Sequence, residues 1–384
     1  MSSAALGVCL IVVARGTLVS DFGVLMTAYA TGLIVGLVAG VGAPIRVLRA
    51  PAESVPLHGA LYAVHLTLVT VAFVVLFVVW VPIGLTWAAA AGFLFALGDT
   101  LQNYAQAHLT SLNEQRAANF LVLVHRLVPL GVAVWAYVVT GAVAMSALSA
   151  AFAVPVILGV SFPLRSALAA GVRPLHRVFS GWLGYWAYAC SATANQFQLP
   201  LLSAVAGSTL VGLFSMSSKV VGPITLLTTS IAAVIVPELA RRTSTPPAFA
   251  SLYRKLLAVC FGYFALVLML AYPASMVIIA LAGSQYNAAR YLVIASIVGA
   301  GISACSQGFN AKLLAVGAPG NATWAMVIGA AVGLLMILAM GLTESEWMLC
   351  LVPVVSQGVV LSVMVYAARS VSVDPVRARR VADS

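Results

Sequence analysis

The chain has 384 residues, 62% of them hydrophobic and only 7% charged, with a formal net charge of +10 and a mean hydropathy of +1.08. That much apolar surface cannot be hidden in a soluble core, so lipid is the solvent for most of the chain and an ordinary soluble enzyme is excluded. The positive charge would suit nucleic acid only if it were clustered, and its distribution along the chain excludes that as well.

A spanning helix needs about 20 apolar residues. Apolar runs predict twelve such helices, at 3–19, 22–43, 57–80, 83–110, 117–139, 143–163, 179–206, 209–236, 253–281, 288–314, 319–342 and 347–368. The first is short, but it lacks a basic leader and an A-x-A site, and Arg15 follows the apolar run instead of preceding it. It reads as a retained helix and not as a signal peptide. Loops alternating from a cytoplasmic N-terminus leave Arg15 and Arg290 outside and Arg126 and Lys219 within spans. Every other lysine and arginine falls on the cytoplasmic side, which is the positive-inside bias and puts both termini in the cytoplasm. Trp80, Trp87 and Trp347 near outer helix ends, and Trp182 and Trp324 near inner ones, agree. The five cysteines are scattered singly within spans and form no C-x-x-C pair, so neither a metal site nor a disulfide framework is indicated.

The chain also repeats. Shifted by 204 residues, "AHLTSLNEQRAANFLVL" from Ala107 lies over "AKLLAVGAPGNATWAMV" from Ala311, each reading as helix end, short turn and helix start. The expected architecture is therefore an all-α membrane protein of about 12 transmembrane helices in two six-helix lobes related by a parallel internal repeat. Residues 1–164 form the N-terminal lobe, 165–178 a cytoplasmic inter-lobe loop, 179–368 the C-terminal lobe and 369–384 a basic cytoplasmic tail. Six helices per half make the repeat parallel, as in transporters, with the substrate path expected between the halves.

Helix four holds the stretch "GDTLQNYAQAHL". Asp99, Gln102, Asn103 and Gln106 are spaced i, i+3, i+4 and i+7, on one helix face. The 204-residue shift carries them onto Ser303, Ser306, Gln307 and Asn310. Such a stripe either lines a cavity or serves as hydrogen-bonded glue between helices, worth about 0.6–2 kcal/mol per group. A helix entering near Pro82 at 1.5 Å per residue places Asp99 roughly 25 Å deep, where a charge is functional by default. The alternative for Asp99 is an architectural ion pair with Arg126 on the next helix. Lys219 lies near the middle of helix eight on a face of Ser215, Ser218, Gly222, Thr225 and Thr229. Two buried cations with one acid among them suit an anionic substrate such as a phosphate or diphosphate. His65 and His108 are lone histidines on spans and read as packed side chains, not ligands. In helix seven, Asn195, Gln196 and Gln198 precede Pro200, and breaks at proline commonly line a pathway. There is no G-x-x-x-x-G-K-[ST] loop, no metal spacing and no G-x-S-x-G, so no cofactor and no enzymatic activity are expected.

Three stretches resemble the polysaccharide-repeat-unit flippases of the multidrug/oligosaccharidyl-lipid/polysaccharide exporter superfamily. They are "VARGTLVSDFGVLMTAYATGLIVGLVAGVGAPIRVLR" from Val13, "VGLFSMSSKVVGPITLLTTSIAAVIVPELAR" from Val211 and "YNAARYLVIASIVGAGISACSQGFNAKLLAVGAPGNA" from Tyr286. Ala14, Arg15, Phe22 and Gly23 match the first pattern, with slightly longer spacing from Arg15 to Phe22. The acid that the drug-antiporter branch carries in its first helix has no counterpart here. The resemblance implies a bacterial cytoplasmic-membrane protein working by alternating access, which moves a polyprenyl-phosphate-linked oligosaccharide to the outer leaflet for cell-surface polysaccharide synthesis. Lys219, Arg126 and Arg15 would contact the phosphate headgroup. Asp99, Gln102, Asn103, Gln106, Asn195, Gln198, Ser303, Gln307 and Asn310 would line the cavity. The partners implied are the polyprenyl-linked glycan, membrane lipids and a glycan polymerase or glycosyltransferases, with no nucleic acid. A cation-coupled exporter of small amphiphiles, with Asp99 as coupling acid, stays open beside this reading, as does a scaffold acting through the basic tail.

Overall fold

The computed structural model describes residues 2–49, 55–170, 179, 182–222, 224, 231, 235–236, 238–243, 245–316, 318–343 and 347–371. Most of the expected 165–178 loop and basic tail, part of the eighth span, and Thr225 and Thr229 beside Lys219 lie outside these residues. Among the described residues every regular element is helical, and nine helices are long and apolar enough to cross a membrane. This is a multi-pass, all-α membrane protein. It divides into two compact units, Met1–Ser215 and Met216–Ser384.

In the first unit the helices are α1 (Ser2–Gly16), α2 (Val19–Ala39), α3 (Ala43–Arg49), α4 (Val55–Gly84), α5 (Trp87–Ser111), α6 (Gln115–Thr140), α7 (Met145–Ala170) and α8 (Trp182–Ala192). A 3₁₀ turn (Ala194–Phe197) then leads into α9 (Gln198–Val220), which crosses the unit boundary. Pro200 sits in the first turn of α9, where its missing N–H is harmless, and the expected break falls just before it. A second break is at Gly207, whose φ of 79° a helix cannot hold. The short α3 has no counterpart among the predicted spans. It follows a tight turn in which Val41 and Gly42 both have positive φ, and it packs on α5.

Pro82 belongs to α4, and the turn at Gly84 (φ 109°) precedes α5, whose N-cap is Thr86 accepting from the Ala89 N–H at 3.2 Å. Asp99 is therefore about 18 Å along α5 and not 25 Å, because the residues before Trp87 do not rise with that helix.

Lipid inverts the usual burial. On α6 the buried residues are Ala118, Leu121, His125, Pro129, Ala133 and Ala136, a stripe at helical spacing. Phe120, Leu123, Leu127, Trp135 and Val138 are exposed on the other face. With no hydrophobic drive between helices in lipid, small residues that permit close approach do the packing. Gly92 of α5 lies so close to α2 that a Cβ there would meet the Leu25 carbonyl oxygen at 2.2 Å; one at Gly36 of α2 would meet Thr100 Oγ1 at 2.4 Å. Gly23 of α2 and Gly212 of α9 meet in the same way, against the backbones of Ser208 and Val19.

The second unit contains α10 (Pro246–Ala282), a 3₁₀ segment (Ser284–Ala289), α11 (Arg290–Ala315), α12 (Pro319–Thr343) and α13 (Met348–Ser370). Shifting α5, α6 and α7 by 204 residues reproduces the starts of α11, α12 and α13 to within one residue. The pairs also match, since α5 packs extensively on α7 and α11 on α13. Lys312 ties the end of α11 to that of α13 by donating to the Ala368 carbonyl at 2.6 Å, with its ammonium 5.7 Å from the Tyr253 ring centre.

Gly92→Val is expected to force α2 and α5 apart and destabilise the protein by about 1–3 kcal/mol. Gly131→Ala, at a helical site with nothing within 4 Å of the new carbon, should be neutral or slightly stabilising. Thermal unfolding of the two variants in detergent checks both.

Candidate functional site

Polar chemistry in the first unit gathers at two neighbouring places on α5. The first is a buried charge cluster. Asp99 is 7% exposed. Its Oδ2 accepts a 2.6 Å hydrogen bond from the Tyr29 hydroxyl on α2. Its Oδ1 lies 2.8 Å from His125 Nε2 and 3.3 Å from Arg126 Nη1, both on α6. Two nitrogens from α6 thus converge on one carboxylate oxygen. At low dielectric such contacts remain strong, and removing one partner strands the other charge.

The surroundings hold the cluster in place. Phe95 stacks between Tyr29 (4.2 Å) and Phe152 of α7 (4.5 Å), which fixes the phenol so that its hydroxyl reaches Asp99. Gly98 leaves room for the imidazole; a Cβ there would sit 3.3 Å from His125 Cε1. The other ring nitrogen, Nδ1, is buried without a hydrogen-bond partner.

The repeat does not carry this cluster across. Ser303 stands at the position of Asp99, Gly329 at that of His125 and Ala330 at that of Arg126. A Cβ at Gly329 would meet Val360 at 2.2 Å. Where the first unit builds a charge network between helices, the second packs α12 directly on α13.

The second place is a cavity of about 230 Å³ bounded by α2, the turn after it, α3, α4, α5 and α8. Its α2–α3 side is apolar, with Leu33, Leu37 and Ile45, while His65, Asn103 and Thr193 stand on the other side. His65 is 1% exposed. Its ring stacks on Tyr104 at 4.8 Å, and its Nδ1 lies 3.4 Å from the Gly40 carbonyl. Tyr104 in turn donates to the His58 carbonyl at 3.1 Å and packs against His108 at 6.2 Å.

The polar stripe of α5 is thus divided. Asp99 and Gln102 are buried inside the unit, Asn103 is exposed and lines the cavity, and Gln106 is exposed. Arg15, at the end of α1, donates from Nε to the Tyr137 hydroxyl at 2.7 Å. Lys219 is half-buried near the end of α9 and belongs to the second unit. Asn195 is exposed in the 3₁₀ turn and Gln198 half-buried at the start of α9. Ser303, Gln307 and Asn310 are half-buried on α11, where Asn310 donates to Gln307 at 3.3 Å. The sequence carried no signal for Tyr29, which is a full helix hairpin away from Asp99, nor for the cavity wall built by α3 and Thr193.

No protein-family model matches the sequence, and no curated protein matches it. Solved structures do. The chain superposes on an inward-facing multidrug resistance MATE family transporter of the MOP superfamily with a TM-score of 0.71 at 11% identity, covering 100% of this chain and 96% of that one. The fold is that of the MOP-superfamily transporters. Lipid II flippase MurJ in an inward closed conformation matches with a TM-score of 0.71 at 12% identity, over 96% of this chain and 86% of that one. A eukaryotic MATE transporter matches at 0.53 and 13% identity, over 99% and 95%. In this MOP-type fold the Asp99 cluster and the cavity both lie within the first compact unit.

Arg126→Ala strands the Asp99 carboxylate and is expected to destabilise the protein by about 3–5 kcal/mol. Replacing both charges, with Asp99→Asn and Arg126→Gln together, should recover part of that loss. A double-mutant cycle on detergent unfolding midpoints measures the coupling.

Proposed function

We propose that the chain is a flippase that moves a polyprenyl-phosphate-linked oligosaccharide from the cytoplasmic to the outer leaflet by alternating access, for cell-surface polysaccharide synthesis, and that it is not an enzyme. The observation that carries this reading is the state of Asp99. It is the acid buried among the described residues, and both its oxygens are taken up by Tyr29, His125 and Arg126. A carboxylate neutralised within its own unit is poorly placed to bind a cationic drug or a coupling cation. Its pairing also removes the strongest local repulsion that an anionic headgroup would meet.

The remaining polar groups suit such a headgroup. In the first unit Arg15 would supply charge and Arg126 a guanidinium that can exchange Asp99 for a phosphate; the second unit offers Lys219, and each unit carries carboxamides suited to sugar contacts. The likeness in fold to a lipid II flippase supports the reading. The partners on this view are the lipid-linked glycan and the polymerase or glycosyltransferases that use it, in a bacterial cytoplasmic membrane with both termini inside.

The second reading, a cation-coupled exporter, is supported by the equal likeness to a MATE transporter. It requires the Asp99 cluster to open during transport.

Purified protein in liposomes with a polyprenyl-diphosphate-linked oligosaccharide decides between them, with headgroup exposure followed by an impermeant glycan-modifying enzyme. Flipping should exceed that of protein-free vesicles, fall at least tenfold in Lys219→Ala and persist in Lys219→Arg. Absent flipping, with proton-driven dye efflux that Asp99→Asn abolishes, would transfer the assignment to the exporter.

A further inference from the structure

We propose that the second unit holds an anionic phospholipid against α10, with Arg254 and Lys255 on its headgroup phosphate and its acyl chains along the exposed apolar face below them. Such a site is independent of what the protein transports.

Charge balance points there first. Among the described residues of this unit Glu238 is the single carboxylate. Arg242 occupies it, donating from Nε and Nη2 to Oε1 at 2.9 and 2.6 Å, while Arg241 Nη1 stands 3.8 Å from Oε2. Lys312 is engaged too, on the Ala368 carbonyl and beside the Tyr253 ring. Tyr253 precedes Arg254 and Ala368 precedes Arg369, so this one ammonium draws together the basic ends of α10, α11 and α13. Arg241, Arg254, Lys255 and Arg369 remain exposed. Like charges gathered at one end repel each other, and an anion among them relieves the repulsion.

Depth places that anion in the lipid headgroup layer. α10 has 37 residues, a length of about 55 Å, against a hydrocarbon core of about 30 Å and roughly 40–45 Å with the headgroup layers. The stretch from Leu256 to Ala282 covers about 40 Å, which leaves Arg254 and Lys255 level with the phosphates of one leaflet. Trp324 near the start of α12 and Tyr366 near the end of α13 are 67% and 76% exposed, and both lie at the same end of the unit, where aromatic side chains mark the headgroup level.

The surface below the cations suits the rest of a phospholipid. Helical spacing continues Arg254 into Phe261 and Leu268, and Lys255 into Val259 and Leu266. All four apolar side chains are exposed. From Lys255 to Leu266 is about 16 Å, close to the hydrocarbon depth of one leaflet. A free phosphate gains nothing from this face, and an acidic protein cannot follow it into the bilayer. A lipid with an anionic head uses both parts.

The test is native mass spectrometry of the full chain in a neutral detergent, with dioleoyl phosphatidylglycerol and dioleoyl phosphatidylcholine at equal concentration. Phosphatidylglycerol should be retained in preference. Arg254→Gln with Lys255→Gln should weaken its binding roughly tenfold and leave phosphatidylcholine unchanged, while Arg254→Lys with Lys255→Arg should keep it. Arg116→Gln, which removes an exposed cation of the first unit, should have no effect. Equal retention of the two lipids, an unchanged Gln double variant or an equal loss in Arg116→Gln would each overturn the proposal. So would displacement by glycerol 3-phosphate at the same concentration, which would show recognition of phosphate without the chains. Displacement by polyglutamate would give the patch to an acidic protein instead.

Discussion

The first unit depends on how closely α2 and α5 approach each other. Gly92 and Gly36 let one backbone rest on the other, and only at that separation does the Tyr29 hydroxyl reach the Asp99 carboxylate. In lipid the helices gain nothing by hiding apolar side chains from one another, since the tails around them are just as apolar. What remains is contact at short range. Glycine is then chosen for the distance it permits, and the polar network on α5 is a consequence of that distance.

The two halves solve the same packing problem differently. Three consecutive helices recur with a shift of 204 residues, and their pairing recurs with them. Between the first and second members, however, the first half spends its space on an imidazole and a guanidinium, while the second half packs its second member on its third through Gly329 against Val360. A buried charge network does not forgive a missing partner, because the charge left behind is uncompensated. The repeat thus supplies a common frame, and in the first half that frame holds the Asp99 network.

The cavity beside this network follows from the turn after α2. Positive φ at Val41 and Gly42 leads directly into α3, which contributes Pro44 and Ile45 to the wall of the cavity. Trp186 on α8 donates to the Val38 carbonyl at 3.0 Å, tying α8 to the end of α2. Side chains from five helices line one volume, yet no two of those helices present their contributions at a spacing visible along the chain.

Local composition and period were enough to determine much of this protein. Runs of apolar residues marked out a chain of membrane-spanning helices and their order, because a helix satisfies its own backbone in lipid. The stripe of Asp99, Gln102, Asn103 and Gln106 announced polar business on α5, and the 204-residue repeat announced two related halves. Tertiary structure decided which way that stripe turned, placing Asp99 and Gln102 inward and Asn103 on a cavity. It also decided that Asp99 meets Tyr29 and His125 as well as Arg126. Helical periodicity reports which residues share a face but not what that face meets. The meeting here is set by glycine contacts and a tight turn between residues far apart in the chain, which no local pattern encodes.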